Sequence, residues 1–207
     1  MRIILVHCPV KHQVFSENLR VVDEEFCLAP PIILAYVASI LEQAGHKVAL
    51  LDVHALKLSK EATLQSIKNF SPDVIGFRMD TYQFHQTLGW IKYFKQNINV
   101  PVVAGGINFS LYPEESLLHP EIDYGVIGEA VGTLPKLLIA MENGESLDAI
   151  DGIVYRENGL IKLNPPLQKV IDFDSYPFPA RHLLPNKKYH SIISQRKNFT
   201  IMVTSRG

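Results

Sequence analysis

Cysteine is scarce. Only Cys8 and Cys27 occur in 207 residues, spaced neither as metal ligands nor as the dense, even set of a secreted disulfide scaffold. They read as two thiols of a reducing compartment. An excess of charge of one sign is also lacking: 20 Lys and Arg against 21 Asp and Glu leave a net charge of -1, which argues against nucleic-acid binding by bulk electrostatics. No apolar run is long enough to span a bilayer. The opening Met1-Arg2-Ile3-Ile4-Leu5-Val6 turns polar at once, without the longer apolar stretch and cleavage site of a signal peptide. The expectation is a cytoplasmic protein with neither a nucleic-acid nor a membrane partner.

Several chemical signatures are missing as well. No Gly-x-Gly-x-x-Gly loop follows the first apolar run, which leads instead through His7-Cys8-Pro9 into a long polar segment, so a nicotinamide dinucleotide is disfavoured. That run also lacks the acidic cluster of a phosphorylation receiver. No Ser-His-Asp set, carboxylate pair or metal-ligand spacing stands out among the loops, which argues against a stand-alone enzyme. There is no internal repeat.

What the chain does have is alternation. From Arg2 to about Met141, short β-branched runs alternate with amphipathic stretches, the pattern of a parallel sheet covered by helices on both faces. The predicted strands are Ile3–Val6, Val48–Leu51, Val74–Phe77, Val102–Ala104 and Tyr124–Ile127, mostly apolar on successive positions, as strands buried on both faces must be. A first helix opens at Pro30-Pro31, carries Ile33, Tyr36, Val37, Ile40 and Leu41 on one stripe, and ends at Gly45. Others are predicted over Lys60–Phe70, from Phe84 to Gln96, from Pro113, and from after Gly132-Thr133 to Met141.

Beyond Gly144 the pattern changes. Gly152–Arg156 and Leu160–Leu163, joined at Glu157-Asn158-Gly159, read as a β-hairpin appended to the sheet. Residues 164–197, with Pro165, Pro166, Pro177, Pro179 and Pro185, suit an extended, docked linker. Thr200–Val203 reads as a further strand.

Ligands of open parallel sheets bind beyond the carboxyl ends of the strands, so the candidate loops are His7–Ala29, Asp52–Ser59, Arg78–Tyr82, Gly105–Tyr112 and Gly128–Thr133. Gly105-Gly106 lets a ligand approach the backbone, with Asn108 to hydrogen-bond it, or it is simply a tight turn. Gly128-Glu129 with Thr133 brings a carboxylate and helix N–H groups to the same edge, or is an ordinary acidic helix start. Asp80 and Thr81 can hold ligand amides or hydroxyls, or serve as a local cap in a solvated loop.

Taken in order, these landmarks resemble a known family. They are Leu34-Ala35-Tyr36-Val37-Ala38 with Ala44-Gly45-His46, Pro72–Gly76, Val102–Gly106, Pro113-Glu114-Glu115, Ile122-Asp123-Tyr124 and Gly128-Glu129. Downstream follow Gly152-Ile153, Asp174–Arg181 and Thr204-Ser205-Arg206-Gly207. The whole chain resembles the N-terminal domain of cobalamin-dependent radical S-adenosylmethionine enzymes, the family of the anaerobic magnesium-protoporphyrin IX monomethyl ester oxidative cyclase.

The resemblance implies a flavodoxin-like (Rossmann-like), doubly wound, five-stranded parallel sheet of order 2-1-3-4-5. It implies cobalamin as the cofactor of residues 1–144, lined by Met79, Asp80, Thr81, Gly105, Gly106, Asn108, Gly128, Glu129 and Thr133. Residues 145–163 would form the hairpin, and 164–207 the linker and first strand leading to a radical domain absent from this chain. That domain would hold the iron–sulfur cluster and S-adenosylmethionine, for a cyclase-like or methyltransferase reaction in which these 207 residues bind cofactor and do no chemistry alone.

The chain departs from the family pattern at Arg78-Met79 and Ala130-Val131, and the competing expectation is a docking or substrate-recognition module that has kept the fold and lost the cofactor. The crevice would then be filled by side chains. Asp52-Val53-His54 is superficially like an Asp-x-His-x-x-Gly cobalt-ligand motif, but it follows the second strand and has Lys57 in place of glycine. His7 lacks an acidic partner in its motif. Cobalamin is therefore expected to be held without a histidine on cobalt.

Overall fold

The structure, a computed structural model, describes residues 1–9, 27–167, 173–194 and 199–204. The parallel core follows from the alternation: β1 (Arg2–His7), β2 (Cys27–Leu28), α1 (Ile32–Gln43), β3 (Lys47–Asp52), α2 (Val53–Leu56), α3 (Lys60–Phe70), β4 (Val74–Arg78) and α4 (Phe84–Lys95). Then come β5 (Val102–Gly105), α5 (Ile107–Leu111), α6 (Pro113–Leu117), β6 (Tyr124–Val126) and α7 (Ala130–Asn143). The chain continues through β7 (Ile153–Glu157), β8 (Leu160–Leu163) and β9 (His190–Ser191). The main sheet runs β3-β1-β4-β5-β6-β7-β8, parallel from β3 through β6 and antiparallel over the last two pairings.

Successive strand residues point to opposite faces, and each face has its own core. Ile3, Leu5, Val103 and Val126 pack under α1 and α7. Ile4, Val6, Ile75, Phe77 and Ala104 pack under α3 and α4. Helix α3 shows how local chemistry sets its bounds: the Ser59 hydroxyl accepts from Ala62 N–H at the start, and Ser71 takes a left-handed conformation at the end.

The hairpin is appended to the sheet and continues it, turning at Asn158-Gly159, both of positive φ, as a two-residue type I′ turn requires. Tyr155 and Lys162 both donate to Asp148. These bonds, Tyr155's first, hold the Asp148 carboxyl at about 2.

Two expectations are corrected. Residues 105–112 are not all loop, since α5 occupies five of them. Helix α7 begins at Ala130, before Thr133, and contains Pro135, because one proline removes a backbone bond without ending a helix that is packed along its length. Thr200–Val203, expected as a strand whose partners lie outside this chain, pairs with no strand among the described residues, and Thr200 and Ile201 accept from the Arg181 guanidinium.

The described residues of the tail after the hairpin are docked on the domain. Short 3₁₀ turns at Phe173–Ser175, Arg181–Leu183 and Asn186–Lys188 carry it. Ala180 N–H donates to Ala35 O of α1, and β9 pairs antiparallel with β2. Tyr189, 1% exposed, donates its hydroxyl to Asp52 at 2.8 Å.

Candidate functional site

At the carboxyl ends of β1, β4, β5 and β6, on the face covered by α1 and α7, lies an open crevice of about 320 Å³, a volume in the range of small-molecule pockets. Its floor is one row across three strands: Leu5 pairs with Gly76, and Gly76 with Val103. Gly76 lets the Leu5 side chain lie across the floor, since a Cβ there would stand 2.6 Å from Leu5 Cδ2. The walls are Leu34, Val37, Val126 and Leu134. Two residues further along the strands, at the mouth, Arg78 pairs with Gly105 and Gly105 with Val126. Arg78 is ion-paired to the buried Asp80 at 2.8 Å, and Ser110 and Glu129 complete the polar rim.

Of the nine residues singled out in the sequence, Asp80, Gly105, Gly106, Gly128 and Glu129 line this crevice. The other four do not. Met79 is fully buried in the core on the opposite face. Thr81 starts an exposed turn. Asn108, 7% exposed, turns inward to donate to Ser116 at 2.7 Å, and Thr133 donates to the Asp151 carbonyl.

Gly106 and Gly128 differ in role. A Cβ at Gly106 (φ 122°) would lie 2.8 Å from Met79 O, so protein backbone already occupies the space. At Gly128 (φ 69°) no atom lies within 4 Å of the Cβ position. The α1 side chains Ile33, Leu34, Tyr36 and Val37 were not among the nine. Their apolar stripe was visible, but nothing in a helical pattern says which residue overhangs a strand end.

His7 and His54 lie edge to face, 6.4 Å apart. Burial above all pushes the His7 imidazole below its ordinary value, with Asp52 opposing. The Asp52 carboxylate, 1% exposed, accepts from Ala55 N–H and from Tyr189 O–H, so it caps α2 and anchors the tail. Among the described residues no three His, Cys, Asp or Glu side chains converge on a metal position, and no helix is long and apolar enough to cross a membrane.

Comparison with known proteins agrees with this geometry. The chain is 34% identical, over all of its length and 43% of the relative's, to an uncharacterized methyltransferase of Pyrococcus horikoshii. It is 29% identical, over 85% of its length and 35% of the relative's, to the anaerobic magnesium-protoporphyrin IX monomethyl ester cyclase of Synechocystis. The chain thus spans less than half the length of these curated relatives. Among solved structures, the radical S-adenosylmethionine methyltransferase TsrM from Kitasatospora setae, with cobalamin and a 4Fe–4S cluster bound, superposes on 86% of this chain and 31% of that one. The TM-score is 0.65 and the identity 22%, a likeness of fold. Residues 27–138, more than half of the chain, match the B12 binding domain family, and with the parallel sheet and its open carboxyl-edge crevice this places the chain in the family of B12-binding domains.

Proposed function

We propose that the chain seats cobalamin across the carboxyl edge of its sheet, with the nucleotide arm in the crevice, as the cofactor-binding part of a longer radical S-adenosylmethionine enzyme. The observation that carries this reading is the crevice itself: open, apolar within, and rimmed by groups that suit a corrin's amide side chains. Arg78 donates to amide oxygens, while Asp80 and Glu129 accept from amide N–H groups. Ser110 does either. A docking module that had lost its cofactor would have filled this space with side chains.

Residues 1–144 carry the site, 145–163 extend its sheet, and 164–207 lead toward the radical domain, where the iron–sulfur cluster and S-adenosylmethionine belong. Methyl transfer is favoured over ring closure, because the relative matched along the whole chain is named a methyltransferase. When bound, cobalamin supplies a cobalt centre able to carry a methyl group. The residues of this chain bind and orient it.

Titration of the chain with hydroxocobalamin is expected to saturate in the micromolar range; absence of binding at high micromolar concentration would refute the proposal. Gly128→Leu, which places a side chain in open crevice space, is expected to weaken binding at least about tenfold while costing only about 1–2 kcal/mol of stability for its left-handed backbone. Bound cobalamin would be held without a histidine on cobalt. In cob(II)alamin-loaded protein labelled with nitrogen-15 histidine, the electron paramagnetic resonance spectrum is expected to show no splitting that follows the label, and a label-dependent splitting would overturn this.

A further inference from the structure

We infer that the crevice selects among cobamides by their lower base, taking dimethylbenzimidazole and rejecting adenine. This rests on the cofactor reading above and concerns what the crevice accepts. The polar side chains that line it are Arg78 at the end of β4, Asp80 just beyond it, Ser110 on α5, Glu129 before α7 and the half-buried Tyr36 phenol on α1, none of them on the strand row that forms the floor. The interior is otherwise. Leu5, Gly76 and Val103 form the floor, and Val37, Val126 and Leu134 the walls. The floor backbones are joined strand to strand in the sheet, so they offer a base no spare donor or acceptor.

Dimethylbenzimidazole suits such a space, since its outer edge is two methyl groups on an arene. Adenine carries an exocyclic amine and ring nitrogens there. Each would leave water for apolar walls without a partner, and a buried polar group lacking its hydrogen bond is strongly disfavoured. At Gly76 the Leu5 side chain already lies over the floor, where an added Cβ would stand 2.6 Å from Leu5 Cδ2. It supplies no polar contact to either base.

Equilibrium dialysis of the 207-residue chain against hydroxocobalamin, its adeninyl counterpart and diaquocobinamide, read by corrin absorbance, tests this. The expected order is hydroxocobalamin tightest, with the adeninyl form at least about tenfold weaker and cobinamide, which has no base, also weaker. Val103→Thr, which puts a hydroxyl on the floor at nearly unchanged volume, is expected to narrow the gap between the two bases several-fold. Equal affinity for both bases, or cobinamide binding as tightly as hydroxocobalamin, would overturn the inference and leave cofactor binding standing. Failure of all three corrinoids to bind would overturn the cofactor reading and this inference with it.

Discussion

Gly106→Ala is expected to destabilise the chain by about 2–5 kcal/mol, against a total of about 5–15 kcal/mol for a domain, whether or not cofactor is present. Two costs combine. With φ 122° the residue sits where an L side chain is strained, and its Cβ would press on Met79 O at 2.8 Å and on Met79 C and N at 3.2 Å. The obstacle is backbone, held by the bond from Met79 N–H to Gly105 O at 2.7 Å, so no rotamer change relieves it. Gly105→Ala meets only ordinary contact, 3.4 Å to Val126 O, and is expected to cost less than about 1 kcal/mol. Urea unfolding separates the two: the midpoint falls sharply for Gly106→Ala at unchanged slope. A wild-type midpoint would show that the glycine serves the ligand alone.

Asp52→Ala is expected to cost about 2–4 kcal/mol, because it strands two buried donors at once, Ala55 N–H and the Tyr189 hydroxyl. Burial and the adjacent Asp52 charge push the Tyr189 phenol well above its usual range, so it stays protonated as the donor. Asp52→Asn keeps acceptor oxygen at the site and is expected to recover part of the loss. Tyr189→Phe removes one bond and is expected to cost about 1–2 kcal/mol. Limited proteolysis gives the local readout: cleavage within residues 173–194 is expected to accelerate in Asp52→Ala before global unfolding. Equal cleavage rates in variant and wild type would show that the tail is held by its other contacts.

The parallel core was legible because runs such as Val74–Phe77 are apolar at every position, a signal that solvent on one face would interrupt. Helix α3 was legible because its pattern stops before Ser71-Pro72, where the chain cannot continue as helix. The crevice was legible only as a set of loops. Asn108 looked like a ligand-facing group because it follows the glycine pair, yet the helical turn begun at Gly106 swings its amide to Ser116. The Asp52–Tyr189 bond joins residues 137 apart, and no local pattern marks either end.

The hairpin that carries the sheet to its last strand also decides how the molecule meets its own copies. An added antiparallel pair ends the sheet on β8, whose row of backbone groups is a template for self-association. In the middle of that strand stands Lys162, its ammonium 2.5 Å from Glu157 and 3.1 Å from Asp148. Charged groups on an edge are a common guard against aggregation. Two copies approaching edge to edge along this four-residue strand would have to desolvate the lysine on both sides before a new ladder could form.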